Sequence, residues 1–279
     1  MSINVYEMVT ERIIEQLEKG IIVWEKPWHG TKSGAFNRIS KKPYSLLNQM
    51  LLQNRGEYAS FKQWQSLGGK VRKGEKAEIV VFWKMQIVEE TKEDGTKVER
   101  TIPLLRYYNV FHISQVDGVE PLEAEVFTEH EPIAEAEKII EAYKTREHLQ
   151  IIETVSNEAF YSPIGDYIKV PCKEQYQNIE EFYSTLFHEC IHSTGHKSRL
   201  DRLETGANAS FGSETYSKEE LVAEIGSATL LNMLGIETPK TFKNSSAYIQ
   251  SWLKELRSDN RFIISASSKA EKAVNYILA

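Results

Sequence analysis

The run His188-Glu189-Cys190-Ile191-His192 constrains this chain more than any other stretch. Residues four apart in an α-helix stand one above the other. Two imidazoles at that spacing can therefore reach one tetrahedral metal, while the carboxylate between them faces the open coordination position. The pattern asks for a helix and points to hydrolysis at a zinc centre, with Glu189 taking a proton from a water whose pKa the metal lowers. The preceding residues agree with a helix: Ile179, Phe182, Leu186 and Cys190 recur at spacings of three and four. Asn178 is placed as an N-cap with Glu181 three residues on. This phasing puts the histidines on a different face from the apolar stripe, in which Cys190 packs as a small apolar residue.

A third protein ligand is needed. The extended pattern HExxHxxGxxH is followed as far as Gly195 but fails at Ser198. His196 is off that register and reads as a turn or substrate-side residue. A glutamate on a second helix fits better, and Tyr216-Ser217-Lys218-Glu219-Glu220-Leu221-Val222-Ala223-Glu224 predicts such a helix, with Ser217 as N-cap and Glu220 completing a capping box. Glu220 and Glu224 share a face, so one can bind the metal while the other holds a histidine ring. Glu220 is favoured as the ligand and Glu224 as its support, and the reverse assignment stays open. Tyr216 or His196 is available to stabilise an oxyanion. Zinc is the expected cofactor, and Mn2+ or Co2+ is compatible with the same donors.

The chain carries a net charge of −6, but residues 1–88 hold 14 Lys+Arg against 8 Glu and no Asp, a balance of +6 that leaves −12 for the rest. A basic amino-terminal part suggests contact with a polyanion. Aromatic side chains interleave with that charge: Trp24, Lys26, Trp28, Arg38, Lys42, Tyr44 and Trp64, followed by Lys70, Arg72, Lys73 and Lys76 around Gly74. Bases stacked on aromatic faces with phosphates neutralised by cations is how single-stranded nucleic acid is gripped. The competing reading of the tryptophans is that they are core.

Two cysteines, Cys172 and Cys190, provide no disulfide framework and suggest a reducing compartment. No run approaches the roughly 18 apolar residues of a membrane span. The expectation is a protein of the cytoplasm with no membrane partner. Periodicity predicts helices at 4–19, 44–54 and 60–67, strands at 79–83 and 104–111 flanking a charged excursion that turns at Asp94-Gly95, and an acidic connection at 114–130. A helix at 132–147 follows, then strands at 151–153 and 167–170, an edge strand before the metal helix that could align an extended peptide, and helices at 245–257 and 266–278. The fold class is α+β in two domains, 1–125 and 126–279, the second mainly helical with a small sheet.

Long ordered motifs carry a family resemblance. Trp24-Glu25-Lys26-Pro27-Trp28, Asn37, Lys42-Pro43-Tyr44, Trp64, Leu67-Gly68-Gly69-Lys70-Val71-Arg72-Lys73-Gly74-Glu75-Lys76 and Tyr108-Asn109-Val110-Phe111 resemble the N-terminal domain of ArdC antirestriction proteins. His188 through His196, Arg199-Leu200, Glu219 through Glu224 and Tyr248-Ile249-Gln250-Ser251-Trp252-Leu253 are similar to that family's zincin-like metallopeptidase domain. Cys190 and Ser193 stand where that family usually has other residues. The resemblance implies a single-stranded-DNA-binding first domain, carriage on plasmids and conjugative elements, protection of incoming DNA from host restriction, and a metalloprotease fold with a bound metal. The protein substrate is open, with a host restriction component as the candidate. Two other readings remain: a DNA-shielding factor whose metal is structural, and a stand-alone zinc peptidase whose first domain recognises protein.

Overall fold

The structure is a computed structural model that describes residues 4–24, 34–91, 97–122, 132–203, 214–236 and 246–279. Its architecture is α+β in two compact units, Met1–Ile13 with Ser33–Glu123 and Ile14–Lys32 with Ala124–Ala279, so the division falls inside the first helix, α1 (Val5–Glu18).

The first unit contains β1 (Ala35–Asn37), α2 (Leu46–Leu51), β2 (Gly56–Ala59), α3 (Phe61–Ser66), β3 (Lys70–Val71), β4 (Glu78–Thr91), β5 (Lys97–His112) and β6 (Val116–Asp117). One sheet runs β1-β2-β5-β4, parallel between β1 and β2 and antiparallel elsewhere, and β3 pairs with β6. Ser60 starts α3 by a reciprocal cap: its hydroxyl accepts from the Gln63 amide, and the Gln63 side chain accepts from the Ser60 amide. Tyr44, Leu52, Tyr58, Val80 and Val110 pack into one core cluster, and Ala59, Trp64 and Val116 into another. Strands β4 and β5 run well past the lengths expected from apolar content, pairing as far as Thr91 with Lys97. The charged residues there mark a ribbon with both faces exposed, which needs no apolar alternation to form a ladder. The turn expected at Asp94-Gly95 lies outside the described residues.

The second unit comprises α4 (Pro132–Glu147), β7 (Gln150–Thr154), β8 (Phe160–Ser162), β9 (Tyr167–Pro171), α5 (Ile179–Thr194), α6 (Glu214–Leu234), α7 (Ser246–Ser258) and α8 (Phe262–Leu278). Its sheet is ordered β7-β9-β8. The expected edge strand before the metal helix is corrected by this order: β9 leads into α5 but is paired on both sides, so the free edges belong to β7 and to β8, a three-residue strand too short to stand out in sequence. Arg199, its side chain only 1% exposed, clamps the end of this layer. It donates to both carboxylate oxygens of Asp166 at 2.8 and 2.9 Å, to Glu147 at 3.1 Å and to the Ser193 carbonyl at 2.9 Å, joining the β8–β9 turn, the end of α4 and the end of α5.

Candidate metal centre

Helix α5 begins where its sequence says it should, with the Asn178 side chain accepting from the Glu181 amide at 3.0 Å. Its surroundings differ from the expected two-faced helix. Phe182, Tyr183, Leu186, Phe187, Cys190 and Ile191 are all buried, and so are His188 and Glu189, because β8, β9, α6 and α8 all pack against it. The expected Cys190 packing is observed, and burial pushes its thiol pKa up, away from reactivity.

Close packing of α6 on α5 depends on Gly226. A Cβ at that position would stand 2.7 Å from Ile191 Cδ1, one residue from His192, so a larger residue would hold the two helices apart. The expected N-cap at Ser217 is corrected: α6 already begins at Glu214, which puts Ser217 inside the helix. Glu220 is thereby released from a capping role. Its carboxylate faces the histidines, Oε2 lying 3.5 Å from His188 Nε2 and Oε1 3.4 Å from His192 Nε2, while the two ring nitrogens are 3.1 Å apart. Among the described residues, His188, His192 and Glu220 form the group of donors that could hold a metal, with ligand atoms all within 4.8 Å of one another.

Donor spacing tests whether a metal fits. Tetrahedral ligands about 2.0–2.1 Å from an ion stand roughly 3.3 Å apart. The separations of 3.1, 3.4 and 3.5 Å bracket that distance. Charge tests it a second way. Burial disfavours a proton on His192, yet hydrogen bonds to Glu219 and Glu220 and the field of Glu189 outweigh burial and push its pKa up to about 10. Burial likewise works against ionised Glu220, and contacts with His188 and His192 prevail to hold it well below the usual carboxylate range. The surrounding carboxylates call for positive charge at this point, and a divalent cation supplies it without a proton.

Behind the donors stand residues of two kinds. Glu224 Oε1 lies 3.7 Å from His188 Nδ1, on the side away from Glu220. Glu219, which sequence reasoning passed over, approaches His192 Nδ1 at 3.3 Å. Arg202 fixes it, donating from Nε and one terminal nitrogen to the Glu219 carboxylate at 2.9–3.2 Å and from the other to Thr194 Oγ1 at 2.7 Å. Glu219 is nearly enclosed; burial opposes its charge, but His192 and Arg202 keep its pKa lowered. The Arg202 and Leu203 amides both donate to the Gly195 carbonyl at 3.0 Å, folding the chain back over the end of α5. A side chain at Gly195 would meet Leu203 Cγ at 2.7 Å, so this return needs glycine. The available signal was the third carboxylate on the same arc of α6; nothing local marks Arg202.

His196 stays outside the donor group, its Nδ1 bonded to Ser198 Oγ at 2.7 Å within a turn. The Tyr216 side chain lies outside the described residues, as do Lys26 and Trp28.

For the other residues proposed to touch DNA, packing corrects several assignments. Trp24 is buried edge-on against Trp252 in the second unit, with centroids 5.1 Å apart. Trp64 is fully buried and donates its indole N–H to the Phe111 carbonyl at 2.9 Å. Tyr44 is buried beside Tyr58. These rings belong to cores and offer no open stacking face. Arg38 is committed to Glu57, and Arg72 to Glu75 at 2.8 Å and Asp117 at 3.3 Å. Lys42, Lys70, Lys73 and Lys76 remain exposed.

Similarity to known proteins agrees with this geometry. Residues 3–111 match the N-terminal domain of anti-restriction factor ArdC, and residues 134–269 match the zincin-like metallopeptidase family. The metal-free crystal structure of antirestriction ArdC from the R388 plasmid is 35% identical, with a TM-score of 0.76 over 99% of this chain and 97% of that one. The chain belongs to the ArdC antirestriction family. The Mn(II)-bound structure of R388 ArdC compares equally well, with a TM-score of 0.78 at 33% identity. Another relative is the uncharacterized protein y4eC of Sinorhizobium fredii, 33% identical over 99% of this chain and 92% of its own length. DNA primase TraC of Escherichia coli is 36% identical over 98% of this chain, which spans only 27% of that relative, and 20% of a second TraC.

Proposed function

We propose that this chain is a single-stranded-DNA-binding antirestriction protein of a mobile element, residues 1–125 handling DNA and residues 126–279 hydrolysing a peptide bond at a divalent metal. The convergence of His188, His192 and Glu220 at tetrahedral spacing, one residue from the buried Glu189, supports the second half most directly. His188, His192 and Glu220 would hold the ion, with zinc favoured and Mn2+ or Co2+ compatible. When bound, it would lower the pKa of a water and polarise a carbonyl. Glu189 serves as general base, accepting the water proton and passing it to the leaving amine. Glu219, held by Arg202, and Glu224 orient the imidazoles. The protein substrate we propose is a host restriction component. No helix among the described residues is long and apolar enough to cross a membrane.

The test is protection of incoming DNA in a restricting recipient by the natural chain and by Glu189→Gln, with metal content measured for both. The reading expects Glu189→Gln to keep its metal and lose protection, its turnover falling about 10²- to 10⁴-fold. Full protection by a metal-bearing Glu189→Gln would leave a shielding factor with a structural metal.

A further inference from the structure

The buried tryptophans leave open where the first unit meets a nucleic acid, and the exposed rings of β4 and β5 supply an answer. Side chains alternate across a strand, so the pairing of Phe82 with Arg106 and of Lys84 with Leu104 puts all four on one face of the ribbon. Tyr108, two residues from Arg106, shares that face. Phe82 is 46% and Tyr108 47% exposed, unusual for two large rings side by side, and their centroids lie 5.9 Å apart. Tyr44 backs Phe82 at 6.2 Å, and the exposed Lys41 and Lys42 immediately precede Pro43 and Tyr44. Lys84 and Arg106 are exposed and carry no ion pair among the described residues, in contrast to Arg38 and Arg72.

We infer that this face, Phe82 and Tyr108 flanked by Lys84 and Arg106, is where the chain binds single-stranded DNA, an assignment that rests on the DNA-handling reading above. Two adjoining rings standing out of a sheet are the platform on which successive unpaired bases stack, and the surrounding cations are placed for the phosphates. A duplex, whose bases are already stacked on each other, cannot use the rings. The opposite face carries Trp83, Met85 and Ile87 without this pattern of charge.

The experiment is fluorescence anisotropy of a labelled oligothymidylate of about 16 nucleotides, titrated with the full chain over a range of salt. Tyr108→Ala and Phe82→Ala should each weaken binding about 5- to 150-fold. Tyr108→Phe, which keeps the ring, should bind as the natural chain does, and so should Trp83→Ala on the opposite face. Arg106→Gln should flatten the slope of log affinity against log salt by about 0.7. A photoreactive 5-iodouracil oligonucleotide on the unmutated chain should crosslink at Phe82 or Tyr108 and not at Trp83, a readout that requires no variant to fold. Unchanged binding by Tyr108→Ala and Arg106→Gln, with crosslinks elsewhere, overturns this surface while leaving DNA binding intact. No binding by the unmutated chain at low salt removes the DNA reading itself, and this surface with it.

Discussion

Around α5 in the second unit, ionisable side chains are bound to one another. His192 meets Glu219 and Glu220, Glu219 is clamped by Arg202, and Arg199 is shared between Asp166 and Glu147. On the β4–β5 ribbon of the first unit, Lys84 and Arg106 stand exposed and unpaired among the described residues, beside open aromatic rings. Enclosed, mutually satisfied charge fixes donor positions to a few tenths of an ångström, as a metal requires. Open charge on a ribbon suits a flexible polyanion, whose binding rests on counterion release and stacking more than on fixed geometry.

This contrast also decides what could be read from the sequence. The spacing of His188 and His192 is a geometric statement once the segment is helical, and the i, i+4 relation of Glu220 and Glu224 carried over to the structure in the same way. Neither depends on knowing what surrounds the helices. The aromatic and basic composition of residues 24–76 contains no such ruler. Nor does anything local mark burial in Trp64 of the predicted helix or Phe82 of the predicted strand that follows, yet one is sealed under the Phe111 carbonyl and the other faces solvent, because sheet register and helix α3 decide burial. Arg202, and with it the role of Glu219, was illegible for a related reason: their partnership is made by a chain reversal at Gly195 that only the folded backbone reveals.

The largest expected effect concerns the residue that sequence placed on the wrong side of this contrast. Trp64→Ala should cost about 3–5 kcal/mol of stability, read as a lowered urea midpoint for the first unit. Trp64→Phe should retain DNA affinity in whatever fraction stays folded. A stable Trp64→Ala with weakened DNA binding would return Trp64 to the surface role and erase the distinction between buried and open rings.

A smaller effect should separate enclosed from open charge by pH. Burial alone would raise the Asp166 carboxyl, but hydrogen bonds from Arg199 and Tyr161 hold its pKa below the ordinary value, and Glu147 is lowered against burial by Arg146, Tyr276 and Arg199. With the folded pKa depressed, the stabilisation is full above the unfolded carboxylate pKa of about 4 and is lost as pH falls through the lowered value. Urea midpoints measured from neutral pH downward should show this loss persisting at high salt, since Arg199 is buried. Glu75, lowered at the surface by hydrogen bonds from Gln115 and Arg72, should contribute an acid dependence whose Arg72 part weakens with salt. Equal salt sensitivity in the two units would contradict the assignment of one as enclosed.

The most direct test of the account is calorimetric titration of Zn2+ and Mn2+ into the metal-free chain, beside Glu220→Gln, Glu219→Gln and Glu224→Gln. One ion should bind per chain, with binding lost in Glu220→Gln and affinity reduced about 10- to 100-fold in Glu219→Gln and Glu224→Gln, which support the rings without holding the ion. Full binding by Glu220→Gln, with loss in Glu224→Gln instead, would contradict the donor set assigned here to α5 and α6.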